Sequence, residues 1–346
     1  MKGLILSGGT GTRLQPFTWS TPKQLIPVAN RPLLSYVLWA LQKAGIMHTA
    51  IITGDDGLER IPVKLKGYTP PSLDITYIRQ AEPLGLAHAV KTARSFLIND
   101  DFIMVLGDNI FDLDLHEAVN IFKQTGADAL LFLTPVNDPC RYGIAEVQGS
   151  RIVSLEEKPV LPRSNLAIMG IYLLTEAIFT AIERISPSSR GELEITDALQ
   201  ELLKIGGKIV PYLYPGWWLD VGKPDDVLAA NRKMLDLLPV KTGSTDKCNV
   251  ALTAYVTGSN LRPPLVIGES CRIINADLGP YCAIGSGSVI ENARVMESVV
   301  CEDVVIRNIK GKLFRSIIAE KACIQGKLQN NDHLTLLLGA GSVILL

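Results

Sequence analysis

A six-residue spacing of aliphatic side chains organises the C-terminal third of this 346-residue chain. Glycine and other turn-forming residues fill the gaps between these side chains. The spacing is typical of a β-helix, in which three-sided coils stack their aliphatic side chains into a ladder. An irregular β-sandwich is the alternative, because single hexads occur by chance, but several steps in phase favour the β-helix. The residues that keep the spacing are Leu278, Ile284, Ile290 and Met296, with the pairs Ile267 and Ile273, Val299 and Val305, and Ile318 and Ile324.

Strand-like and helix-like segments alternate before this repeat. Short apolar runs that end at glycine, such as Lys2 to Ser7 and Phe102 to Leu106, predict buried strands. The segment from Pro32 to Lys43 has the first-turn proline and terminal glycine of a helix. This alternation predicts an α/β fold with a mostly parallel, doubly wound, Rossmann-like sheet. Since ligands of such sheets bind beyond the carboxyl ends of the strands, we expect site residues directly after strands.

A polar stretch with Pro239, Gly243 and Ser244 separates the two patterns and is typical of a linker. We predict an α/β domain at residues 1–238, a linker at 239–249 and a β-helix domain at 250–346. We also expect a homo-oligomer, because β-helices often pack side by side.

Composition excludes several classes of partner. The chain has 34 Lys and Arg against 35 Asp and Glu, for a net charge of -1. This balance argues against nucleic acid or an anionic membrane as a main partner. No apolar run reaches the roughly 18 residues that span a bilayer, and the six cysteines lack C-x-x-C pairs. We therefore expect a cytoplasmic protein without a targeting segment, whose cysteines are free thiols.

A glycine-rich loop follows the first predicted strand, where residues 8–14 are Gly-Gly-Thr-Gly-Thr-Arg-Leu. Glycine lets the backbone turn tightly and approach a phosphate without an intervening Cβ. The Walker A pattern fails because no Gly-Lys-Ser/Thr ends the loop, and the dinucleotide fingerprint fails because Leu14 replaces its third glycine. A structural turn is the alternative interpretation. The cations Arg13 and Lys23 favour a polyphosphate site instead.

Two acidic residues follow apolar runs. Asp108 follows Leu106 and Gly107, and Asp220 follows two tryptophans and a leucine. Two carboxylates can share one Mg²⁺, which prefers hard oxygen ligands. Each aspartate alone is also typical of a cap or a turn, and spacing does not show that the two meet.

Two charged segments and the histidines complete the candidates. The run Glu156-Glu157-Lys158 is by composition a solvated strand end, and the segment 190–197 is typical of a helix entry with acids in its first turn. The four histidines form neither a metal pattern nor a triad, so no chemistry is assigned to them.

Four segments together resemble the glucose-1-phosphate thymidylyltransferases, which belong to the sugar-nucleotide pyrophosphorylases. These segments are residues 8–14, 22–28, 106–110 and 191–197. The resemblance covers the whole chain, because the hexad tail is similar to the long form of this family, which carries a C-terminal left-handed β-helix. It identifies residues 1–238 as a nucleotidyltransferase domain. It implies transfer of a thymidylyl group from dTTP to glucose 1-phosphate, giving dTDP-glucose and pyrophosphate.

The resemblance also implies individual roles. The implied catalytic residues are Arg13, Lys23 and Asp108. The implied nucleotide contacts are Gly8, Gly9, Thr10, Gly11, Gln24, Gln80 and Gly85. The implied sugar-phosphate contacts are Gly143, Glu157, Lys158, Gly170 and Arg190. The implied cofactor is Mg²⁺, held by Asp108 and Asp220.

Three alternatives stay open. The first is the same reaction with UTP, because the residues around Gln80 depart from the short-form pattern. The second is a non-catalytic regulatory subunit of the same fold, which the presence of all four phosphate and metal residues disfavours. The third is an acyltransferase on the β-helix, which is disfavoured because the clear hexads contain no histidine.

Overall fold

The computed structural model describes residues 1–9, 11–239, 247–309, 311–326 and 333–346. By its contacts the chain so described forms two compact units. The first unit consists of Met1–Gly9 and Leu34–Asp220, and the second of Thr10–Leu33 and Val221–Leu346. The predicted linker at 239–249 falls largely on residues outside the described ranges, so the predicted domain boundaries stay a prediction.

Strands and helices alternate up to residue 236, as the sequence pattern predicts. The strands are β1 Lys2–Leu6, β2 Pro27–Val28, β3 Arg31–Pro32, β4 His48–Thr53, β5 Asp74–Arg79, β6 Phe102–Leu106, β7 Asn109–Phe111, β8 Ala129–Pro135, β9 Gly143–Gln148, β10 Arg151–Glu157, β11 Leu166–Leu174, β12 Ile209–Leu213 and β13 Trp218–Asp220. The helices are α1 Leu33–Lys43, α2 Asp55–Lys64, α3 Leu86–Thr92, α4 Arg94–Leu97, α5 Leu115–Thr125, α6 Ala177–Ile182, α7 Ile195–Lys204 and α8 Pro224–Asp236. Short 3-10 turns cover Thr12–Leu14, Phe17–Trp19, Lys23–Leu25 and Pro139–Arg141.

The central sheet of the first unit has the order β10-β9-β11-β6-β1-β4-β5, and β8 joins β11 to β12. Strand β1 runs parallel to both β4 and β6, and β5 continues the parallel half. Strand β11 runs antiparallel to β6 and β8, and β9 and β10 form an antiparallel hairpin. The antiparallel hairpin begins near Tyr142, where the alternation of strands and helices gives way to the consecutive strands β9, β10 and β11.

The core of the first unit lies between this sheet and α3, α6 and α7. Leu4 of β1 and Met104 of β6 are fully buried there, which explains why these strands read as apolar runs. Helix α3 ends at Thr92, where the Ala93 N–H is shared between the carbonyls of Ala89 and Val90, and α4 begins at Arg94. Within the described ranges, no helix is both long and apolar enough to cross a membrane.

The C-terminal strands are short and regularly spaced. They are β14 Cys248–Val250, β15 Tyr255–Thr257, β16 Asn260–Leu261, β17 Leu265–Ile267, β18 Arg272–Ile274, β19 Asp277–Leu278, β20 Cys282–Ile284, β21 Val289–Glu291, β22 Arg294–Met296, β23 Val299–Val300, β24 Val305–Arg307, β25 Lys312–Phe314, β26 Ile317–Ile318, β27 Cys323–Gln325, β28 His333–Leu334, β29 Leu337–Leu338 and β30 Val343–Leu345. Among the described residues these strands stack into three parallel ladders, which are the faces of a β-helix. The predicted fold class, a doubly wound α/β sheet followed by a left-handed parallel β-helix, is confirmed.

The predicted aliphatic ladder is off by one residue at Met296, Val299 and Val305. Ile284 pairs with Val300 rather than Val299, and Ile290 pairs with Ile306 rather than Val305. We placed Met296 on the ladder, six residues after Ile290, but Leu278 pairs with Val295, which is fully buried, while Met296 is half-buried. The reason is the length of the coil. Leu265 pairs with Cys282, which lies 17 positions later, so one coil contains 17 residues. A three-sided coil of this length has two faces of six residues and one face of five.

A buried asparagine of α8 joins the coils to the segment before α1. Asn231 is 1% exposed, and its Oδ1 accepts a hydrogen bond from Ala29 N at 2.9 Å. Its Nδ2 donates to Tyr281 O at 3.2 Å. The next residue of the segment, Asn30, donates from Nδ2 to Ile284 O at 2.6 Å. The segment that leads from Lys23 to α1 is therefore fixed to the β-helix within the second unit.

We expect Asn231→Ala to destabilise the protein by about 1–3 kcal/mol, because it leaves the buried Ala29 N–H without an acceptor. The free energy of unfolding, measured by urea titration, checks this. The matched control is Asn120→Ala on α5, where the asparagine is exposed and its side chain meets only the neighbouring turn. Equal stabilities of the two variants would contradict the role given to Asn231.

Candidate active site

The parallel pairing of β1 with β6 brings two predicted site segments to one edge of the sheet. Leu6 pairs with Leu106, and the Gly107 N–H donates to Leu6 O at 2.9 Å. The glycine loop begins two residues after Leu6, at Gly8, and Asp108 comes two residues after Leu106. Both predicted site segments therefore directly follow strands and lie at the same edge of the sheet.

The first glycine of the loop lies against the residue that the resemblance assigns to the base. A Cβ on Gly8 would lie 3.0 Å from Gln80 Oε1, whereas a Cβ on Gly9 would meet nothing within 4 Å. Gly9 therefore leaves open space beside its backbone, as a phosphate-binding loop requires. Thr10 lies outside the described residues.

The loop continues in the second unit. Thr18 Oγ1 donates to Gly11 O at 2.8 Å, and a Cβ on Gly11 would lie 3.3 Å from Lys23 Cβ. The Arg13 guanidinium packs on the backbone of Gly222, because a Cβ there would lie 3.0 Å from Arg13 Nη2. The structure therefore places Gly11 beside Lys23, and holds Arg13 over the turn that precedes α8.

Two residues in or next to the predicted site segments have buried side-chain oxygens. Gln24 is 3% exposed, and its Oε1 has no hydrogen-bond partner among the described residues. Ser7, directly before the loop, is 4% exposed, and its Oγ likewise lacks a partner there. A buried polar atom without a partner costs free energy that a bound ligand can recover. Sequence reasoning missed Ser7, because a serine at a strand end carries no distinctive pattern.

A short antiparallel pairing places Asp220 near the segment that carries Asp108. Strand β7 pairs with β13 so that Asp220 lies opposite Asn109, the neighbour of Asp108. Asn109 is fully buried, and its Nδ2 donates to Asp108 Oδ1 at 3.0 Å. Trp218 Nε1 donates to Asn109 Oδ1. The structure thus sets Asp220 opposite the neighbour of Asp108, a proximity that spacing alone did not show.

This donor set fits Mg²⁺. Magnesium is bound through one or two carboxylates and completes its octahedron with water and substrate phosphates. The part of the chain that the structure describes holds no group of three or more His, Cys, Asp or Glu side chains able to bind a metal. A pair of hard oxygen donors at the end of a strand is therefore the kind of site that a phosphate-bound Mg²⁺ needs.

The predicted sugar contacts gather around Glu157. Gly143 pairs with Glu157 across β9 and β10. Thr196 Oγ1 donates to Glu157 Oε2 at 2.7 Å. A Cβ on Gly143 would lie 2.7 Å from Thr196 Oγ1, so a larger residue would displace this hydrogen bond. The sequence analysis named the segment 190–197, which contains Thr196, but assigned no role to Thr196 itself.

The two predicted sugar-phosphate cations face carboxylates. Arg190 Nη2 lies 2.6 Å from Glu194 Oε1 and 3.4 Å from Glu157 Oε1. Lys158 Nζ lies 3.3 Å from Glu157 Oε1. Burial alone would lower the pKa of Arg190, but the hydrogen bonds and charge of Glu194 raise that pKa above its usual value. Burial, with the charges of Glu194 and Glu157, also raises the pKa of Asp197.

Gly170, another of the predicted sugar contacts, lies near Asn109, the neighbour of Asp108. It lies in β11, where the pairing with β8 shifts between Ile168 and Tyr172, and its φ is +73°. A Cβ on Gly170 would lie 2.8 Å from Leu106 Cδ1 and 3.1 Å from Asn109 Nδ2. Gly170 therefore borders the amide that contacts Asp108.

The loop after β5 is hydrogen-bonded to the segment that carries Arg190. Leu193 N donates to Leu84 O at 2.8 Å, and Ala87 N donates to Leu193 O at 2.9 Å. Gly85 lies between these bonds with φ +104°, a backbone conformation that favours glycine. The predicted base contact and the predicted sugar-phosphate segment are therefore joined through their backbones.

A glycine loop after the first strand of an α/β sheet, with an aspartate at the same edge, is typical of enzymes that handle phosphates. The model of the nucleotidyl transferase family matches residues 2–236. The chain belongs to this family, and it is a nucleotidyltransferase.

Relatives cover between 67% and 90% of this chain. A glucose-1-phosphate thymidylyltransferase of Streptomyces griseus is 40% identical over 90% of each chain. A Bacillus anthracis crystal structure with sucrose, provisionally described as a glucose-1-phosphate thymidylyltransferase, is 37% identical, with TM-score 0.63 over 67% of this chain and 94% of its own. A UDP-glucose pyrophosphorylase solved with UDP-glucose is 26% identical, with TM-score 0.62 over 68% and 98%. The resemblance seen in the sequence is confirmed.

We expect Gly85→Ala to lower kcat/KM for nucleotidyl transfer by on the order of 100-fold, because small displacements of positioning groups carry penalties of this size. The added Cβ would lie 2.5 Å from Leu193 O and 2.7 Å from Leu193 N, backbone atoms that cannot rotate away. Steady-state kinetics measures the effect.

The matched control is Gly67→Ala. Gly67 has the same left-handed backbone, with φ +84°, but nothing lies within 4 Å of the added Cβ. This variant should lose only about 1–2 kcal/mol of stability and keep its activity. A Gly85 variant as active as the Gly67 variant would argue against a role for this loop in substrate binding.

Proposed function

We propose that this nucleotidyltransferase transfers a thymidylyl group from dTTP to glucose 1-phosphate and releases pyrophosphate. The observation that carries the proposal is the pairing of β7 with β13, which sets Asp220 beside the neighbour of Asp108. Both the loop of Gln80 and the cluster around Glu157 belong to the same unit as this pair. The Streptomyces griseus relative, similar over nearly the whole chain, is named for this reaction.

The proposed chemistry needs no general base. A phosphate oxygen of glucose 1-phosphate is already an anion, and it attacks the α-phosphorus of dTTP. A new P–O bond forms there while the bond between the α-phosphorus and the bridging oxygen breaks, so pyrophosphate leaves with the electron pair. The obstacle is the repulsion between two anions, which fixed positive charge and in-line positioning lower.

Asp108 and Asp220 would hold Mg²⁺ in this proposal. The ion would supply positive charge at the phosphates and help to align them. Asn109 keeps Asp108 oriented through its 3.0 Å hydrogen bond, and being fully buried it has little freedom to move. The chain's own contribution is therefore a pair of carboxylates fixed before substrate arrives.

The remaining residues divide between the two substrates. The loop from Gly8 to Gly11, with Gln24, would bind the nucleotide phosphates, while Arg13 and Lys23 would neutralise the leaving pyrophosphate. Gly143, Glu157 and Gly170 would contact the glucose hydroxyls. Lys158 and Arg190 would hold the sugar phosphate, a charge already present in the ground state.

UTP is the second candidate nucleotide. Thymine and uracil share the same pairing edge and differ by a methyl group, so the Gln80 amide would read both. The similarity to a UDP-glucose pyrophosphorylase over 68% of the chain favours keeping this alternative. A non-catalytic subunit is disfavoured, because the aspartate pair is intact.

Pyrophosphate release from glucose 1-phosphate with each nucleoside triphosphate in turn tests the proposal. We expect dTTP to give the highest kcat/KM and UTP the next, since a pyrimidine edge suits one carboxamide. If ATP or GTP gives the highest value, the base assignment is wrong. The mass of the protein in solution, measured on the same sample, tests the expected homo-oligomer.

We expect Asp108→Asn and Asp220→Asn each to lower kcat by on the order of 100-fold or more, because each removes a charged metal ligand. The comparison is Asp101→Asn, which neutralises an exposed aspartate of the same unit. Kinetics at saturating Mg²⁺ and direct titration with Mn²⁺ measure the loss. Near wild-type turnover in either Asp108→Asn or Asp220→Asn would refute the shared-metal site.

A further inference from the structure

The side chain of Gln80 is held by a residue to which the sequence assigned no chemistry. Gln80 follows β5 and is 8% exposed, and its N–H donates to Thr53 O at 2.8 Å. Its Nε2 lies 3.3 Å from Gly85 O and 3.0 Å from His88 Nδ1. Its Oε1 is the atom nearest to where a Cβ on Gly8 would lie, at 3.0 Å.

These neighbours fix which way the carboxamide points. The carbonyl of Gly85 can only accept a hydrogen bond, so the end of the amide that faces it must be the nitrogen. The second hydrogen of Nε2 then faces His88 Nδ1, and this contact is a hydrogen bond in the tautomer that carries its ring proton on the other nitrogen. A flipped amide would set its oxygen against the Gly85 oxygen, two acceptors with no hydrogen between them.

Both hydrogens of the amide are used in this way, and only its acceptor faces the glycine loop. We propose that His88 is a positioning residue for base selection. By fixing Gln80 as an acceptor, it selects a pyrimidine with an N–H on its pairing edge. Thymine and uracil carry this hydrogen on N3, whereas N3 of cytosine is itself an acceptor. The inference rests on the proposed function, in which Gln80 contacts the base.

Among the described residues, the hydrogen bond of the His88 side chain is the one to Gln80. Within its helix, His88 is contacted through the backbone, where Thr92 Oγ1 donates to His88 O at 2.9 Å. Replacing the ring therefore leaves this hydrogen bond available. His88→Leu removes the acceptor and keeps a similar side-chain volume. In His88→Asn, the side-chain Oδ1 replaces Nδ1 as the acceptor.

The test measures kcat and KM for dTTP against dCTP, and for UTP against CTP, in the full-length enzyme. We expect His88→Leu to raise KM for dTTP and UTP about 10-fold with little change in kcat, and to narrow the discrimination against cytosine about 10-fold. His88→Asn should restore both. If His88→Leu does not fold, His88→Ala is read in the same assay, with thermal unfolding to verify the fold.

A double-mutant cycle separates positioning from a structural role. If His88 acts through Gln80, adding His88→Leu to Gln80→Leu should change the discrimination by less than about 2-fold. Additive losses, or equal losses with thymine and cytosine nucleotides, would overturn the proposal. A wild-type preference for UTP over dTTP would contradict the proposed function but support this inference, since uracil carries the same N3–H. A wild-type preference for cytosine nucleotides would overturn it.

Discussion

The hydrogen-bonded pairing of β1 with β6 is the constraint on which the rest of the first unit depends. Leu6 pairs with Leu106, and the Gly107 N–H adds one more bond to the ladder. Because both strands are parallel and end together, the glycine loop and Asp108 leave the sheet at the same level. Strand β7 then turns back to meet β13, which brings in Asp220. A slip of one residue between β1 and β6 would turn each side chain to the opposite face and separate these groups.

Buried polar groups stiffen the site where the carboxylates lie. Trp218 donates to Asn109, Asn109 donates to Asp108, and Gly170 leaves room for that amide. Each of these donors has an acceptor, so the network stabilises one arrangement of the site. The cluster around Glu157 differs, because Arg190 and Lys158 are partly exposed there. Water can screen these cations, so they are able to exchange a carboxylate partner for an incoming phosphate at small cost.

The sequence predicted structure correctly where nearby residues alone determine it. Strand β6 has the predicted bounds, because an apolar run and a terminal glycine determine it locally. The ladder rung at Met296 was wrong because coil length depends on stacking against the coil before it, which no hexad contains. Spacing did not show that Asp220 lies near Asp108, because the strand pairing that places it there joins segments more than a hundred positions apart. His88 was assigned no chemistry because the four histidines form neither a metal pattern nor a triad, and the structure brings it to Gln80 across the turn at Gly85.

The hydrogen bond from Asn30 to Ile284 has a consequence for how the chain is made. The two residues are 254 positions apart, and Ala29 and Asn231 are 202 apart. Translation proceeds at about 5–20 residues per second, so roughly 10 to 50 s separate the synthesis of Asn30 from that of its partner. During that time the segment that carries Lys23 lacks its anchor on the β-helix. This segment is synthesised early, but it becomes fixed only when the coil that carries Ile284 has emerged from the ribosome.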